Sequence, residues 1–310
     1  MATRSTPLTI SPKLVIDDYD LRTAVLLTLA YSDVFDYPLT LEEIHRYLIG
    51  HGAERNEVHD AVSQASTDKQ VANGGAHYAL HGRHDVIALR EKRAQTSAKL
   101  WLQALRYGRL IARLPFVRMV AVTGALVSDN AEAGADLDYL IVTRPGYLWL
   151  TRAIILGIDK VARRLGSRAR LCPNFIVSET NLALQERDLF TAQELTRMVP
   201  ISGLPVYRRM RSQNGWTDEF LPNAQGFPRS YGNGSGPSRL QAASEALLSN
   251  PVSRRLERWE MERKIRKFTR SQTINNETRF SADLCKGHFD GHKEQTMRAF
   301  ESRIEQLGLR

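Results

Sequence analysis

Cysteine is scarce in this chain. Cys172 and Cys285 stand far apart among 310 residues, which excludes a disulfide-stapled scaffold and supplies no thiol cluster for a structural zinc site. They read as two reduced thiols of a cytoplasmic protein. Long apolar runs are also missing. The most apolar stretch, 146–158, is too short to cross a bilayer and carries Arg152 in its middle. It reads as a packed helix, and no transmembrane segment is expected. The opening MATRSTPLTISPKL lacks an apolar core of signal-peptide length, so a cytoplasmic location is expected. Acid is the charge in deficit: 34 Asp and Glu face 43 Lys and Arg, a formal net charge of +9. That balance favours an anionic partner, whether a nucleotide, a nucleic acid or an acidic membrane surface. Hydrophobic residues make up 42% and charged residues 25% of the chain, ordinary values that exclude chain-wide disorder. The length calls for two or three domains.

Apolar periodicity and turn chemistry divide the chain. A helix is predicted over 21–31. Thr40 followed by Glu43 forms a capping box, so a second helix starts at Leu41 and runs to about 49, with Leu41, Ile44, Tyr47 and Leu48 on one face. Gly50 and Gly52 end it. A third helix covers 55–65, and Asn73-Gly74-Gly75 sits at the centre of a hairpin over 70–80. Three helices and a hairpin make a winged-helix-like domain, residues 1–83. Its third helix offers Arg55, Asn56, His59 and Gln64 to DNA, but Glu54, Glu57 and Asp60 would meet phosphates badly.

The fold class expected is therefore α+β, with a mixed-sheet core over 84–223. Helices fill 84–113 and stop at Pro115. Strands are predicted at 117–123, 135–143 and 169–177, with a helix over 147–165 between the last two and further helix over 184–198. Residues 224–239 are dense in Gly, Pro and Ser and read as a linker. The remainder, 240–310, is expected to be helical, with helices at 240–270 and 290–308. Within it Arg254, Arg255, Arg258, Arg263, Lys264, Arg266, Lys267 and Arg270 form a basic run with Trp259 and Phe268, a candidate nucleic-acid surface. His288 and His292 have helical i, i+4 spacing, but Gly287 and Gly291 beside them weaken a metal site there.

The segment richest in chemistry is Val122-Thr123-Gly124-Ala125, followed after an interval by Asp136-Leu137-Asp138-Tyr139-Leu140. Side chains two apart on a strand share a face, so Asp136 and Asp138 project together. Adjacent carboxylates repel unless a cation lies between them, and Mg²⁺ accepts one or two carboxylates while filling its shell with water and phosphate oxygens. Gly124, ending the previous strand, lets backbone N–H groups approach a phosphate. A carboxylate pair beside a phosphate cradle is what nucleotidyl transfer requires.

This pattern resembles the DNA-polymerase-β-type nucleotidyltransferase superfamily, with its Gly-Gly or Gly-Ser turn and a following acidic-x-acidic strand. The match covers 117–143 directly, and the expected topology extends it to about 177. The segments Tyr31-Ser32-Asp33-Val34-Phe35-Asp36-Tyr37-Pro38-Leu39-Thr40 and Cys172-Pro173-Asn174-Phe175 are similar to uncharacterised bacterial nucleotidyltransferase-like proteins. The resemblance implies Mg²⁺ or Mn²⁺ on Asp136 and Asp138, an NTP substrate, and phosphate binding at Thr123, Gly124, Ala125 and Ser128. The turn departs from the pattern in reading Gly124-Ala125, so the missing hydroxyl falls to Thr123 or Ser128. The superfamily's third carboxylate, on a later strand, has no acidic counterpart here: Asn174 stands mid-strand and Glu179 just past its end. Two functions remain open. One is metal-dependent transfer of a nucleotidyl group from an NTP to an acceptor. The other is a catalytically weak nucleotide- or nucleic-acid-binding regulator that keeps the fold.

Overall fold

The computed structural model describes residues 8–11, 14–16, 19–166, 170–229, 231, 238–270, 278–287 and 291–309. A short antiparallel hairpin, β1 (Leu8–Ser11) and β2 (Leu14–Ile16), opens it. Helix α1 (Leu21–Asp33) is capped by Asp20, whose carboxylate accepts from the Thr23 N–H at 2.8 Å. Every residue of α1 from Ala24 onward is buried, on all sides, as in a core helix. The Thr40–Glu43 capping box forms at the start of α2 (Leu41–Arg46): the Glu43 N–H donates to Thr40 Oγ1 at 3.2 Å and the Thr40 N–H to Glu43 Oε2 at 2.9 Å. Helix α2 ends earlier than 49 because the chain turns inward there. Leu48 and Ile49 are fully buried, and the Ile49 N–H donates to Thr28 Oγ1 of α1 at 3.0 Å. Helix α3 (Arg55–Thr67) and the hairpin β3 (Val71–Gly74) and β4 (His77–Leu80) follow. A bridge from Leu39 to Tyr78 ties the α1–α2 connection to that hairpin.

One long helix, α4 (Asp85–Ala112), leads into the sheet. Next come β5 (Val117–Val122), a 3₁₀ turn (Gly124–Ser128), β6 (Leu137–Thr143), α5 (Leu148–Arg164), β7 (Leu171–Ser178), α6 (Leu189–Arg197) and β8 (Val199–Ser202). Helices α7 (Leu204–Gln213), α8 (Thr217–Phe220), α9 (Arg239–Leu248) and α10 (Pro251–Arg270) precede β9 (Arg279–Phe280), β10 (Leu284–Lys286) and α11 (His292–Gln306). Among the described residues the strands form a mixed six-stranded sheet in the order β8-β5-β6-β7-β10-β9. Only the β6–β7 pair is parallel, and α5 supplies the crossover that a parallel pair needs.

The period-2 alternation of the strands sorts the sheet into two faces. Leu140, Val142 and Val177 join one buried cluster with residues of α1, α2, α3, α6, α7 and α11. Leu137, Tyr139, Ile141 and Ile176 join a second cluster with residues of α4 and α5. The first cluster runs without a break from the N-terminal helices onto the sheet, so no packing boundary falls at residue 83. Helix α11 completes it against α1: Phe300 meets Tyr31 edge-on at 5.3 Å between centroids, and Arg303 Nε pairs with Asp33 Oδ2 at 2.6 Å.

Two expectations need correcting. Residues 240–310 are not wholly helical, because β9 and β10 extend the core sheet from β7. Strand β8 begins just after the helix expected over 184–198, where no element is predicted. These strands have two to four residues, too short for a periodicity to register, and Pro200 in β8 is tolerated because that strand lies at the sheet edge. The described part of 224–239 is packed on the core rather than spanning free space. Ala224 is fully buried, and the rings of Phe227 and Tyr231 lie against Tyr207 and Trp101. Residues 230 and 232–237 of that segment lie outside the described residues. Among the described residues no helix is long and apolar enough to cross a membrane.

Candidate active site

The site is built at the turn between β5 and β6. Gly124 leaves β5 with φ +71°, and a Cβ placed on it would lie 2.5 Å from Asp138 Oδ2. Both facts demand glycine: the left-handed backbone disfavours any side chain, and the Asp138 carboxylate fills the space one would occupy. The Thr123 N–H donates to the Asp138 carbonyl at 3.0 Å, fixing the turn to the carboxylate-bearing residue. Gly124→Ala is expected to destabilise the protein by about 1–3 kcal/mol and to displace the Asp138 carboxylate. Urea unfolding combined with a titration of metal-dependent nucleotide binding checks this. Unchanged binding in a destabilised variant would separate the turn from the carboxylate's role.

Asp138 is half-buried on β6, and Asp136 is exposed just before the strand begins. Burial, then the charges of Glu194 and Asp136, push the Asp138 carboxyl up to about 7. Glu194, on α6, is the functional candidate that the sequence did not disclose. Its own carboxyl is raised by burial, an effect opposed by His292, Arg197 and Lys286. One signal was present: α6 buries Leu189, Phe190, Ala192 and Leu195, and Glu194 lies four residues after Phe190, on the same helical side. An acid on an apolar helix stripe calls for an explanation.

A cavity of about 170 Å³ opens beside the turn, lined by Gly124, Ala125, Ser128, Glu194, Arg197 and His292 and closed by Tyr31, Phe35 and Tyr37 of the N-terminal region. A smaller one behind it is lined by Thr123, Glu194 and Lys286. Glu194 therefore stands between the two. Arginines clamp the turn. Arg197 Nη1 donates to Ser128 Oγ at 3.2 Å, Arg90 Nη1 to the Ser128 carbonyl at 3.2 Å, and Arg229 Nη2 to the Val127 carbonyl at 3.1 Å. Asp129, at φ +50°, accepts from Trp101 Nε1 and from Arg229 Nη2, each at 2.8 Å. Asn130 Nδ2 donates to the Phe35 carbonyl at 3.0 Å. Asp129 and Asn130 thus hold the turn in place. The Arg197 guanidinium also lies 3.8 Å from the centre of the Tyr47 ring, joining the cavity to α2.

No protein-family model, curated protein or solved structure matches the chain.

The structure places Thr123, Gly124, Ala125, Ser128 and the Asp138 carboxylate at one turn, with Asp136 near enough for its charge to act on Asp138. It does not bring Glu179 there. Strands β6 and β7 run parallel with Leu137 beside Leu171 and Thr143 beside Ser178. Glu179 therefore lies past the far end of β6, five residues or roughly 17 Å along the strand from Asp138, paired with Arg209 and Arg118. Asp138 pairs in register with Cys172, and the register shifts before the Leu140–Phe175 pair, within the stretch that holds Pro173 and Asn174. The Asn174 side chain and His288 lie outside the described residues. Burial and the two nearby aspartates push the Cys172 thiol up to about 12, so it stays protonated at neutral pH. Arg144 caps the Tyr147 ring at 5.5 Å and Arg152 the Phe268 ring at 5.7 Å. On the basic run, Trp259 is exposed, but Phe268 stacks on Phe280 at 4.7 Å and has that face covered.

Among the described residues no group of three or more His, Cys, Asp or Glu side chains is placed to hold a metal ion. Two carboxylates suffice for Mg²⁺. A half-buried Asp138 whose ionisation is opposed by two neighbouring acids is the kind of donor a cation relieves.

Proposed function

We propose that the chain is a metal-dependent nucleotidyltransferase, moving a nucleotidyl group from an NTP to an acceptor hydroxyl or phosphate: the acceptor oxygen bonds to the α-phosphorus as the α–β phosphoanhydride bond breaks and pyrophosphate leaves. One observation carries the reading: the Asp138 carboxylate fills the space of the missing Gly124 Cβ, with Asp136 and Glu194 adding like charge around it. A phosphate-accessible turn is thereby pressed against an acidic cluster. Support comes also from the order strand, turn, strand, helix, strand with a parallel last pair, which suits a nucleotidyltransferase-like core. The helices and hairpin before it suit a winged-helix-like module.

In this reading Asp136 and Asp138 hold Mg²⁺ or Mn²⁺, which would offset triphosphate charge and polarise the phosphorus under attack. The N–H groups of Gly124 and Ala125 orient phosphate oxygens, with Thr123 and Ser128 supplying hydroxyls. Arg197, already bonded to Ser128, adds positive charge at that edge. Glu194 accepts the acceptor's proton, a role its raised carboxyl suits better than an ordinary surface glutamate. The exposed basic residues of 254–270 offer a contact to a nucleic-acid acceptor.

The alternative reading, a binding regulator with little turnover, is favoured by Cys172 standing beside Asp138 on β7 where a third acid would serve. Transfer from α-labelled NTPs to tRNA, protein and small-molecule acceptors decides between them. For an enzyme, Asp136→Ala abolishes transfer, Glu194→Gln lowers it about 10²–10⁴-fold, and Glu179→Gln leaves it unchanged. Mg²⁺-dependent NTP binding without transfer would select the regulator. Metal-independent or absent NTP binding would end both readings.

A further inference from the structure

Away from the carboxylates, on the opposite face of the sheet, α4 and α5 border a groove of about 1390 Å³. Its walls expose apolar side chains to an unusual degree: Leu102 is 72% and Leu165 82% exposed, with Leu110 and Val161 beside them. Arg106, Arg109 and Arg113 line it, no acid does, and none of the three arginines makes an ion pair among the described residues. Gly157 sits in the middle of α5, where glycine costs about 1 kcal/mol relative to alanine. Nothing among the described residues lies within 4 Å of where its Cβ would be, so no contact among them accounts for it. A glycine facing open space in a groove wall permits close approach by something from outside.

We propose that the groove between α4 and α5 is the docking site of an amphipathic helix from a partner protein, apolar on its inner side and acidic on its flanks. The groove's volume matches about three turns of helix, and helices seat in apolar grooves through residues on one face. Two exposed leucines would gain nothing from nucleic-acid phosphates, and a flat membrane could meet Leu102 and Leu165 but would leave the concavity between the two helices unfilled. A second copy seated through Val252, Leu256 and Trp259 of α10 is disfavoured by charge, because Arg254, Arg255 and Arg258 flank that face and would meet Arg106 and Arg109 with repulsion. Leu240 and Leu247 of α9 are exposed as well, and a copy seated through them would appear as self-association in the test.

The test uses the full chain and two synthetic amphipathic peptides of about five turns. Both carry leucine on one face, and they differ in having glutamate or lysine on the flanks. Fluorescence anisotropy is expected to show the glutamate peptide binding at least about tenfold more tightly. Gly157→Trp fills the groove without touching the core and should abolish binding without lowering the thermal melt. Arg106→Glu with Arg113→Glu should reverse the preference toward the lysine peptide. Equal binding of both peptides, or binding indifferent to Gly157→Trp, overturns the proposal. So does self-association that Gly157→Trp dissolves, or phosphatidylglycerol-vesicle binding that Leu165→Ser removes, because each assigns the surface to a different occupant.

Discussion

In metal-free buffer at pH 8, Asp138→Asn is expected to melt about 2–5 °C above the wild type, and that gain is expected to shrink steadily toward pH 4. Folding raises the Asp138 carboxyl to about 7, whereas in the unfolded chain it titrates near 4. Between those values the folded chain holds a proton that the unfolded chain has released. The stability tied to that proton is fully present below about pH 4 and is lost as pH climbs through 7. The neutral amide escapes the loss. Glu194 and Glu257, both raised by burial, give the wild-type curve the same slope and remain in the variant, so the difference between the two melts reports Asp138 together with its coupling to Glu194. Millimolar Mg²⁺ should raise the wild-type melt at pH 8, since a ligand of the folded state stabilises it, and should leave Asp138→Asn unmoved. The variant should also lose nucleotidyl transfer. A variant that melts below the wild type at pH 8 would show that the carboxylate is a structural acceptor and would count against a metal role.

Gly203→Ala is expected to be the most damaging alanine substitution among the described glycines, costing about 3–5 kcal/mol. Gly203 joins β8 to α7 at φ +72°, and a Cβ there would lie 2.1 Å from the Arg118 carbonyl oxygen and 2.7 Å from the Met119 Cα. Both neighbours are backbone, so no rotamer change relieves the clash, and β5 must move away from the β8–α7 junction. Strand β5 ends at the turn that carries Gly124, and the disturbance should therefore reach the carboxylates. Equilibrium urea unfolding measures the loss. A midpoint equal to that of the wild type would mean that the edge strand can shift freely.

How much of this was legible in the sequence depended on how local each cause was. The Thr40–Glu43 box, the β3–β4 hairpin and the Gly124 turn each follow from a few adjacent residues, and each was readable. The nearness of Asp136 to Asp138 follows from their spacing alone, although Asp136 stands just ahead of β6 rather than on it. Glu194 was not readable as a site residue, because its meeting with Asp138 depends on where α6 crosses the sheet. The neighbour of Asp138 on β7 was not readable for a related reason: the parallel register and its shift set Cys172 beside Asp138, and no count along one strand reveals the stagger of two. Strands β9 and β10 escaped notice because a strand of two or three residues carries no pattern of its own.

The docking of α11 on α1 has a consequence for synthesis. Asp33 and Arg303 are 270 residues apart, and at about 5–20 residues per second a ribosome needs roughly 15–50 s to pass from one to the other. Throughout that interval the α1 surface that will receive Phe300 and Ile304 has no cover. A nascent chain of this protein therefore spends most of its translation with a greasy seam open, and it is in that window that a ribosome-associated chaperone would have something to hold.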